Sequence, residues 1–169
     1  QRLLDQTGLV TILPHNVPAI NAKLVASSYP GSPVTTGIYP NPVHSTNAFA
    51  KLDHHVNGSD HLTFRYGLYH VTSDNSRGAG ALNAPSASAG LDNVDQTIGF
   101  GNTWTISPQI VNETRAQIVY SDLKALPTDL VGPAVSIAGV ASFGTLSTSP
   151  TQRLNKMYQV VNTLSRQAG

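Results

Sequence analysis

The sequence predicts an all-β fold, an antiparallel meander of at least five long strands joined by loops of very different length. Three observations favour this fold. Apolar and polar residues alternate along five segments, and a period of two is that of a strand whose successive side chains point to opposite faces. Short turn sequences separate some of these segments, whereas long connections rich in Ser, Gly and Pro separate others. No strong helical pattern lies between the segments.

The composition limits the function classes before any motif is considered. The 169 residues are about the length of one domain. Only 11% of them are charged, against roughly 25% in an ordinary soluble domain. The net charge of +1 gives no electrostatic reason to expect nucleic acid as a partner. The absence of Cys excludes disulfides, thiolate metal sites and a Cys nucleophile.

The ends of the sequence carry no targeting signal. There is no signal-peptide pattern and no apolar run long enough to predict a transmembrane helix. The sequence starts at Gln1 and stops at Gly169, soon after a strand-like segment. We therefore expect an excerpt of a longer protein.

Residues 1–45 are predicted to form a proline-rich connector or cap, because prolines repeatedly interrupt the periodicity. A short helix is expected at 17–28, where Ile20, Leu24 and Val25 fall on one helical face. The prolines are Pro14, Pro18, Pro30, Pro33, Pro40 and Pro42.

The β segment is predicted to span residues 46–169 and to open with a strand pair at 46–56 and 61–71 around a short turn. The second strand of this pair alternates cleanly between an apolar and a polar face. Side chains directly opposite each other in a hairpin share a face. We therefore expect Asp53 and Lys51 to lie near Arg65 and Thr63 on the polar side.

A second strand pair, at 95–106 and 110–121, repeats this pattern. Its polar face again carries an acid and a base, Glu113 and Arg115. A further strand is predicted at 155–164.

Two long connections separate these strands. Residues 73–94 are predicted to form one loop and residues 124–151 another, which contains a small apolar run at 135–143. Loops of this length are uncommon in compact domains and are usually functional or disordered.

The alternation of short turns and long loops is typical of an outer-membrane β-barrel. In such barrels the tight turns lie on the periplasmic side and the long loops reach the outside. The predicted meander therefore resembles part of an outer-membrane barrel, with outer-membrane lipid around it.

Several short motifs, taken in order, resemble one family of such barrels. Residues 47–53 and 59–66 resemble the R-x-D…D-x-L-x-x-R-Y motif of early barrel strands in TonB-dependent outer-membrane receptors of the Oar-like subgroup. In that subgroup the plug domain follows a carboxypeptidase-regulatory-like domain. Residues 103–108 with 111–115 resemble its T-x-x-x-S-P…V-N-E-x-R turn and strand. Lys51 is a departure, since the subgroup usually has Arg there.

The resemblance implies a parent protein that takes up a large, scarce solute, such as a metal chelate or an oligosaccharide. It implies a barrel of about twenty-two strands around a plug, so the rest of the barrel, the plug and a TonB-type energy coupler are the expected partners. This segment alone is not expected to transport. Asp53, Arg65, Glu113 and Arg115 are expected to face the lumen and to support the fold or contact the plug. None is expected to be catalytic, and no cofactor is expected.

Two histidines define an alternative site. A hairpin that brings His55 near His61 could bind a metal through two ligands, fewer than the three or four of a tight site. The simpler interpretation is that both are solvated histidines at strand ends.

Other chemistries find less support. No Gly-x-Ser-x-Gly elbow is present for a serine hydrolase. Asp53 and Glu113 could form a glycosidase pair, but each has a cation nearby, so charge pairing is the simpler interpretation. Gly99 and Gly101 form no phosphate loop, because no helix is predicted after them. Alternate glycines in a strand more often mark a bend or a close strand approach. The sequence therefore leans against an enzyme.

Two further hypotheses stay open. One is a self-contained soluble β-sandwich or small closed barrel, secreted or periplasmic, acting as a hydrolase or metal-binding module. The other is a self-assembling interaction protein that pairs through its exposed strand edges.

Overall fold

The computed structural model describes residues 12–36, 40–78 and 80–167, and most of them lie in strands. The predicted all-β fold is confirmed. Residues 1–11 and 37–39 of the predicted connector lie outside the described residues. The elements are α1 (Asn16–Ala26), β1 (Val43–Asn57), β2 (Asp60–Arg77), β3 (Ala89–Ser107), β4 (Ile110–Ala125), β5 (Val135–Ile137), β6 (Ala141–Phe143) and β7 (Thr151–Arg166).

The long strands form one antiparallel sheet in the order β1-β2-β3-β4-β7. The two tight turns lie where the sequence predicts them, and each is closed by a local polar contact. Asn57 Oδ1 accepts a hydrogen bond from the Ser59 N–H at 2.8 Å, and Ser107 Oγ accepts one from the Gln109 N–H at 3.3 Å. Asn and Ser favour turns because their side chains can bond the backbone two residues on.

The predicted loop at 73–94 is wrong in its extent. Strand β2 continues to Arg77 and β3 already begins at Ala89, so the connection is much shorter. Small residues in this segment suggested a loop, but two of them, Ser88 and Ala89, are packed in the interior at the start of β3. Ser88 and Ala89 are fully buried, and the Ser88 hydroxyl shares a hydrogen bond with that of Thr128 at 2.9 Å.

The predicted loop at 124–151 contains structure of its own. Strands β5 and β6 form a small antiparallel hairpin there, which pairs Val135 with Phe143 and Ile137 with Ala141. This hairpin coincides with the apolar run seen in the sequence. Two buried residues of β6, Ala141 and Phe143, anchor the hairpin in a small core.

The predicted helix at 17–28 is confirmed as α1, with its packed face shifted. Val17, Ile20 and Leu24 pack against the small core, because residues spaced by three and four share one side of a helix. Val25 is 81% exposed and does not belong to that face. The Tyr29 N–H donates to Leu24 O at 2.9 Å and closes the end of the helix.

The chain folds into two compact units. The first, which we call the cap unit, comprises residues 1–44, 72–92 and 124–152. The second, the wall unit, comprises residues 45–71, 93–123 and 153–169. Both tight turns belong to the wall unit, and all the long connections belong to the cap unit.

Buried side chains lie almost entirely in the cap unit. Its core contains Ile12, Val34, Ala84, Ala141 and Phe143. Among the described residues of the wall unit, only Val71 is buried.

The wall unit is thus a single sheet layer with no packed core on either face. The hypothesis of a self-contained sandwich or small closed barrel is therefore wrong for this sheet. Within the described chain, β1 and β7 each pair along one side only. No helix among the described residues is long and apolar enough to cross a membrane.

Candidate functional site

The two faces of the wall unit differ in chemistry. Because side chains alternate along a strand, one face carries large apolar groups and the other carries polar and charged groups. We call them the apolar face and the polar face. On the apolar face, Phe64 and Phe100 of neighbouring strands contact each other with ring centroids 5.2 Å apart. The exposed large apolar residues of that face are Leu52, Val56, Phe64, Tyr66, Ile98, Trp104, Ile106, Ile118, Leu154, Tyr158, Val160 and Leu164.

A charged cluster lies on the polar face of β1 and β2. Lys51 Nζ lies 2.5 Å from Asp53 Oδ2, and the Thr63 hydroxyl donates to Asp53 Oδ1 at 2.8 Å. His61 Nε2 is 3.7 Å from the same carboxylate oxygen. The predicted proximity of Asp53 and Thr63 across the two strands is thus confirmed, whereas no ion pair joins Asp53 to Arg65.

A second ion pair lies on β4, where Arg115 Nη2 is 3.0 Å from Glu113 Oε2. Three of the four predicted lumen residues therefore belong to ion pairs. The fourth, Arg65, has no carboxylate at ion-pair distance among the described residues. All four lie on the polar face.

A hollow of about 790 Å³ opens on the polar face beside Arg65. Strands β2, β3, β4 and β7 line it, and Phe49 of β1 lies at its edge. The lining residues used below are Phe49, Arg65, Gly67, Gly99, Gly101 and Arg115.

The glycines of the hollow are not explained by packing between strands. A Cβ added at Gly99 would lie 3.7 Å from Arg65 Cβ, and one at Gly101 would lie 3.8 Å from Thr63 Cβ. At Gly67 nothing lies within 4 Å. These are ordinary contacts or open space, so Gly99 and Gly101 do not mark a close strand approach. The other expectation, that they mark a bend, stays a prediction.

His55 and His61 do lie together, through their ring faces. Their centroids are 4.6 Å apart and the rings are inclined by 23°. A metal binds in the ring plane at a nitrogen lone pair, and stacking does not by itself direct the two nitrogens at one point. Among the described residues, no group of three or more His, Cys, Asp or Glu could hold a metal ion.

Polar contacts on the apolar face were missed by the sequence analysis. Asn102 Nδ2 donates to Asp60 Oδ1 at 2.5 Å. Asn112 and Asn162 exchange two hydrogen bonds at 3.2 and 3.1 Å, and Asn162 also donates to Thr114 Oγ1 at 2.8 Å. Asparagines in otherwise apolar alternating positions are the signal that could have revealed them.

A buried carboxylate, that of Asp129, joins two connections of the cap unit through hydrogen bonds. Asp129 is 6% exposed and accepts backbone N–H bonds from Ser32 at 3.1 Å, Val131 at 2.9 Å and Gly132 at 3.1 Å. Burial alone would raise the pKa of Asp129, but these three donors outweigh it, and the pKa lies below its ordinary value. The connection before β1 is thereby tied to the connection before β7.

Tyr29 fills the space beside this carboxylate. Its hydroxyl donates to Pro133 O at 3.0 Å, and its ring meets Phe143 edge to face at 5.9 Å. Burial, followed by the negative charge of Asp129, raises the pKa of Tyr29. A Cβ at Gly132 or Gly144 would overlap the hydroxyl of Tyr29, so the ring fits only against glycines.

Comparison with known proteins gives a match to a family model. Residues 9–169 match a family model described as an outer membrane beta barrel domain. No curated protein and no solved structure matches the chain.

Proposed function

The chain belongs to the outer membrane beta barrel domain family, and on that premise we propose that it forms part of the wall of a TonB-dependent receptor. Its location is the outer membrane. The parent receptor takes up a large, scarce solute such as a metal chelate or an oligosaccharide. The motifs at 47–53, 59–66 and 103–115 support this finer assignment by their resemblance to the Oar-like subgroup.

One observation carries the proposal, namely a single-layer sheet with an exposed apolar face and a charged polar face. Val160 is 75% exposed on the first of these faces. In water such a surface would favour aggregation. In a barrel wall the apolar face contacts lipid and the polar face lines the interior.

The polar face then has a structural role in the interior. The ion pairs Lys51–Asp53 and Glu113–Arg115 are largely satisfied within the wall. Together with Arg65 they face the lumen, where they stabilise the strands and contact the plug domain. The free edges of β1 and β7 pair with the remaining strands of the barrel, which removes the hazard of unpaired edges.

The cap unit lies on the external side in this proposal. It gathers all the long connections, and long loops are the external ones in outer-membrane barrels. The proline-rich segment before β1 acts as part of this cap, because Asp129 and Tyr29 bind it to the connection before β7. The ordered cap gives the solute its first contact with the receptor.

The test is uptake by the bacterium that produces the protein. Deletion of its gene is expected to abolish uptake of one member of a panel of labelled metal chelates and oligosaccharides. Uptake of the same member is expected to stop when the TonB-type coupler is deleted or the proton gradient is collapsed. Unchanged uptake across the panel, with the protein present in the outer membrane of the parent strain, would refute the transport function.

A further inference from the structure

An aromatic side chain is exposed on the polar face of the wall unit. Phe49 shares this face with Lys51 and Asp53, because residues two apart on a strand point the same way, and it is 72% exposed. Tyr69 of β2 lies on the same face as Arg65 by the same alternation and is 39% exposed. Both rings line a second hollow, of about 390 Å³. In a barrel wall the two rings therefore face the interior and not the lipid.

Polar groups with spare hydrogen-bonding capacity surround these rings. Asn47, Asp95 and Thr97 line the same hollow. Among the described residues, the side chains of Asn47 and Thr97 and the hydroxyl of Tyr69 have no hydrogen-bond partner. Asp95 accepts a hydrogen bond from Asn93 Nδ2 at 2.7 Å, and a carboxylate can accept about four. The hollow thus offers amide, hydroxyl and carboxylate groups beside two aromatic rings.

The same phenyl ring also borders the larger hollow. Phe49 and Thr97 line that hollow of about 790 Å³ as well, so the two hollows adjoin at the ring. Gln117 and Gln159 line the larger one, and in the part of the chain that the structure describes their amides have no hydrogen-bond partner either. Hydrogen-bonding groups therefore lie on both sides of an apolar contact. Such an arrangement suits an extended solute with repeated polar groups.

The charges of the polar face are mostly paired. Lys51 is matched by Asp53, and Arg115 by Glu113. Arg65 is the remaining cation named here, and the hollow between Phe49 and the Tyr69 ring contains an acid rather than a base. A solute with several negative charges would need a group of unpaired cations. The face therefore favours a neutral solute over an anionic metal chelate.

We propose that Phe49 is the stacking platform of a binding site for a neutral oligosaccharide. A sugar ring carries C–H groups on one face, which pack on the electron-rich face of an aromatic ring. Its hydroxyls both donate and accept hydrogen bonds, so they fit the unpaired groups of Asn47 and Tyr69 and the carboxylate of Asp95. This inference rests on the proposed function, and it names the class of solute that the interior of the receptor binds.

The test measures binding, not uptake, on the intact parent protein purified in detergent. Isothermal titration calorimetry is run with neutral oligosaccharides of glucose, xylose or mannose, and with ferric citrate as an anionic chelate. We expect at least one oligosaccharide to bind and ferric citrate not to bind. Phe49→Ala is expected to weaken oligosaccharide binding about tenfold, because the stacking surface is lost. Phe49→Tyr keeps an aromatic ring and should bind as the unaltered protein does.

Phe64→Ala is the matched control. It removes a phenyl ring from the apolar face of the neighbouring strand, so it should leave oligosaccharide binding unchanged. Equal weakening by Phe49→Ala and Phe64→Ala would show a general effect on the sheet and would overturn the platform. Binding that Phe49→Ala leaves unchanged would overturn it too.

The outcomes separate this proposal from the transport proposal. If no oligosaccharide of the panel binds, the saccharide site is overturned, and uptake of a metal chelate by the bacterium would still support transport. Binding of ferric citrate that depends on Phe49 would overturn the solute class. Oligosaccharide binding that only Phe49→Ala weakens, in a protein whose gene deletion changes no uptake, would support the site and overturn transport.

Discussion

Asp129 joins two connections of the cap unit through three backbone N–H groups. Asp129→Asn keeps one acceptor oxygen but turns an amide donor toward at least one of those N–H groups. Leaving buried polar groups unpaired costs about 1–3 kcal/mol. We expect the free energy of opening of the cap unit to fall by that amount. Hydrogen exchange of peptides covering residues 127–134 measures it, and Asp74→Asn, at an exposed aspartate, is the control.

The same carboxylate predicts a pH dependence. Its folded-state pKa lies below the ordinary value of 3.8. The charged form therefore stabilises the folded cap above pH 3.8, and this contribution is lost as the pH falls below that value through the folded-state pKa. Exchange in 127–134, corrected for its intrinsic rate, should accelerate in that window. A cap unit equally protected across it, or an Asp129→Asn variant with the same acid response, would show that Asp129 is not the group responsible.

Two glycines of the cap unit offer a matched comparison. Gly144 and Gly139 both have positive φ, at 81° and 70°. A Cβ at Gly144 would overlap Pro133 O and the Tyr29 hydroxyl, whereas at Gly139 it meets nothing within 4 Å. Gly139→Ala should cost about 1–2 kcal/mol of backbone strain alone. Gly144→Ala should cost about 1–3 kcal/mol more from overpacking. Equal losses in hydrogen exchange of the cap unit would contradict this packing account.

Residue faces and the pairing of Glu113 with Arg115 could be predicted from the sequence, but whether Lys51 or Arg65 pairs with Asp53 could not. The period of two places Asp53, Arg65, Glu113 and Arg115 on one face without any further information. Partner choice depends on side-chain reach. Residues two apart on a strand are separated by about 7 Å, which long side chains can span, so Arg115 meets Glu113 within β4. Arg65 has Thr63 and Gly67 at the corresponding positions of β2, neither of which is an acid, and Asp53 is paired with Lys51.

Within a single strand, two adjacent residues of β7 lie on opposite faces of the sheet. Val160 lies on the apolar face, and Val161 lines the hollow on the polar face. Val160→Arg is expected to destabilise the protein by about 2–4 kcal/mol if it lies at the bilayer midplane. Val161→Arg should cost much less. Urea unfolding in lipid vesicles measures both, and equal destabilisation would show that the faces are not lipid and lumen.

The existence of each long strand could be predicted, whereas the ends of β2 and β3 could not. Alternation identifies a strand only where one face is apolar and the other polar. Beyond residue 72 the chain is rich in small and polar residues, which favour loops in a sequence reading. Ser88 and Ala89 are buried against the connection before β7, and this packing allows the strand to begin at Ala89. A contact between residues so far apart in the sequence leaves no pattern in the local sequence.

For the protein as a whole, the stability of the wall unit depends on what surrounds it. A sheet with no buried core on either face needs an apolar environment on one side and polar contacts on the other. The sequence predicts the class of this fold because the pattern of turns and faces is set by the membrane itself. The hollow over the three glycines could not be predicted, since alternation along single strands does not show which side chains of β2, β3, β4 and β7 come to lie around one space.

If the wall unit is part of an outer-membrane barrel, its apolar face contacts lipid. Residues 1–169 contain no Cys. Once any Cys elsewhere in the parent protein is replaced, single Cys variants at each position from 62 to 68 on β2 can be spin-labelled selectively in the intact protein in lipid bilayers. Oxygen concentrates in the acyl chains, so its relaxation effect should peak at positions 62, 64, 66 and 68 and fall at 63, 65 and 67. A flat profile, or one with the opposite phase, would contradict the assignment of the sheet as an outer-membrane wall.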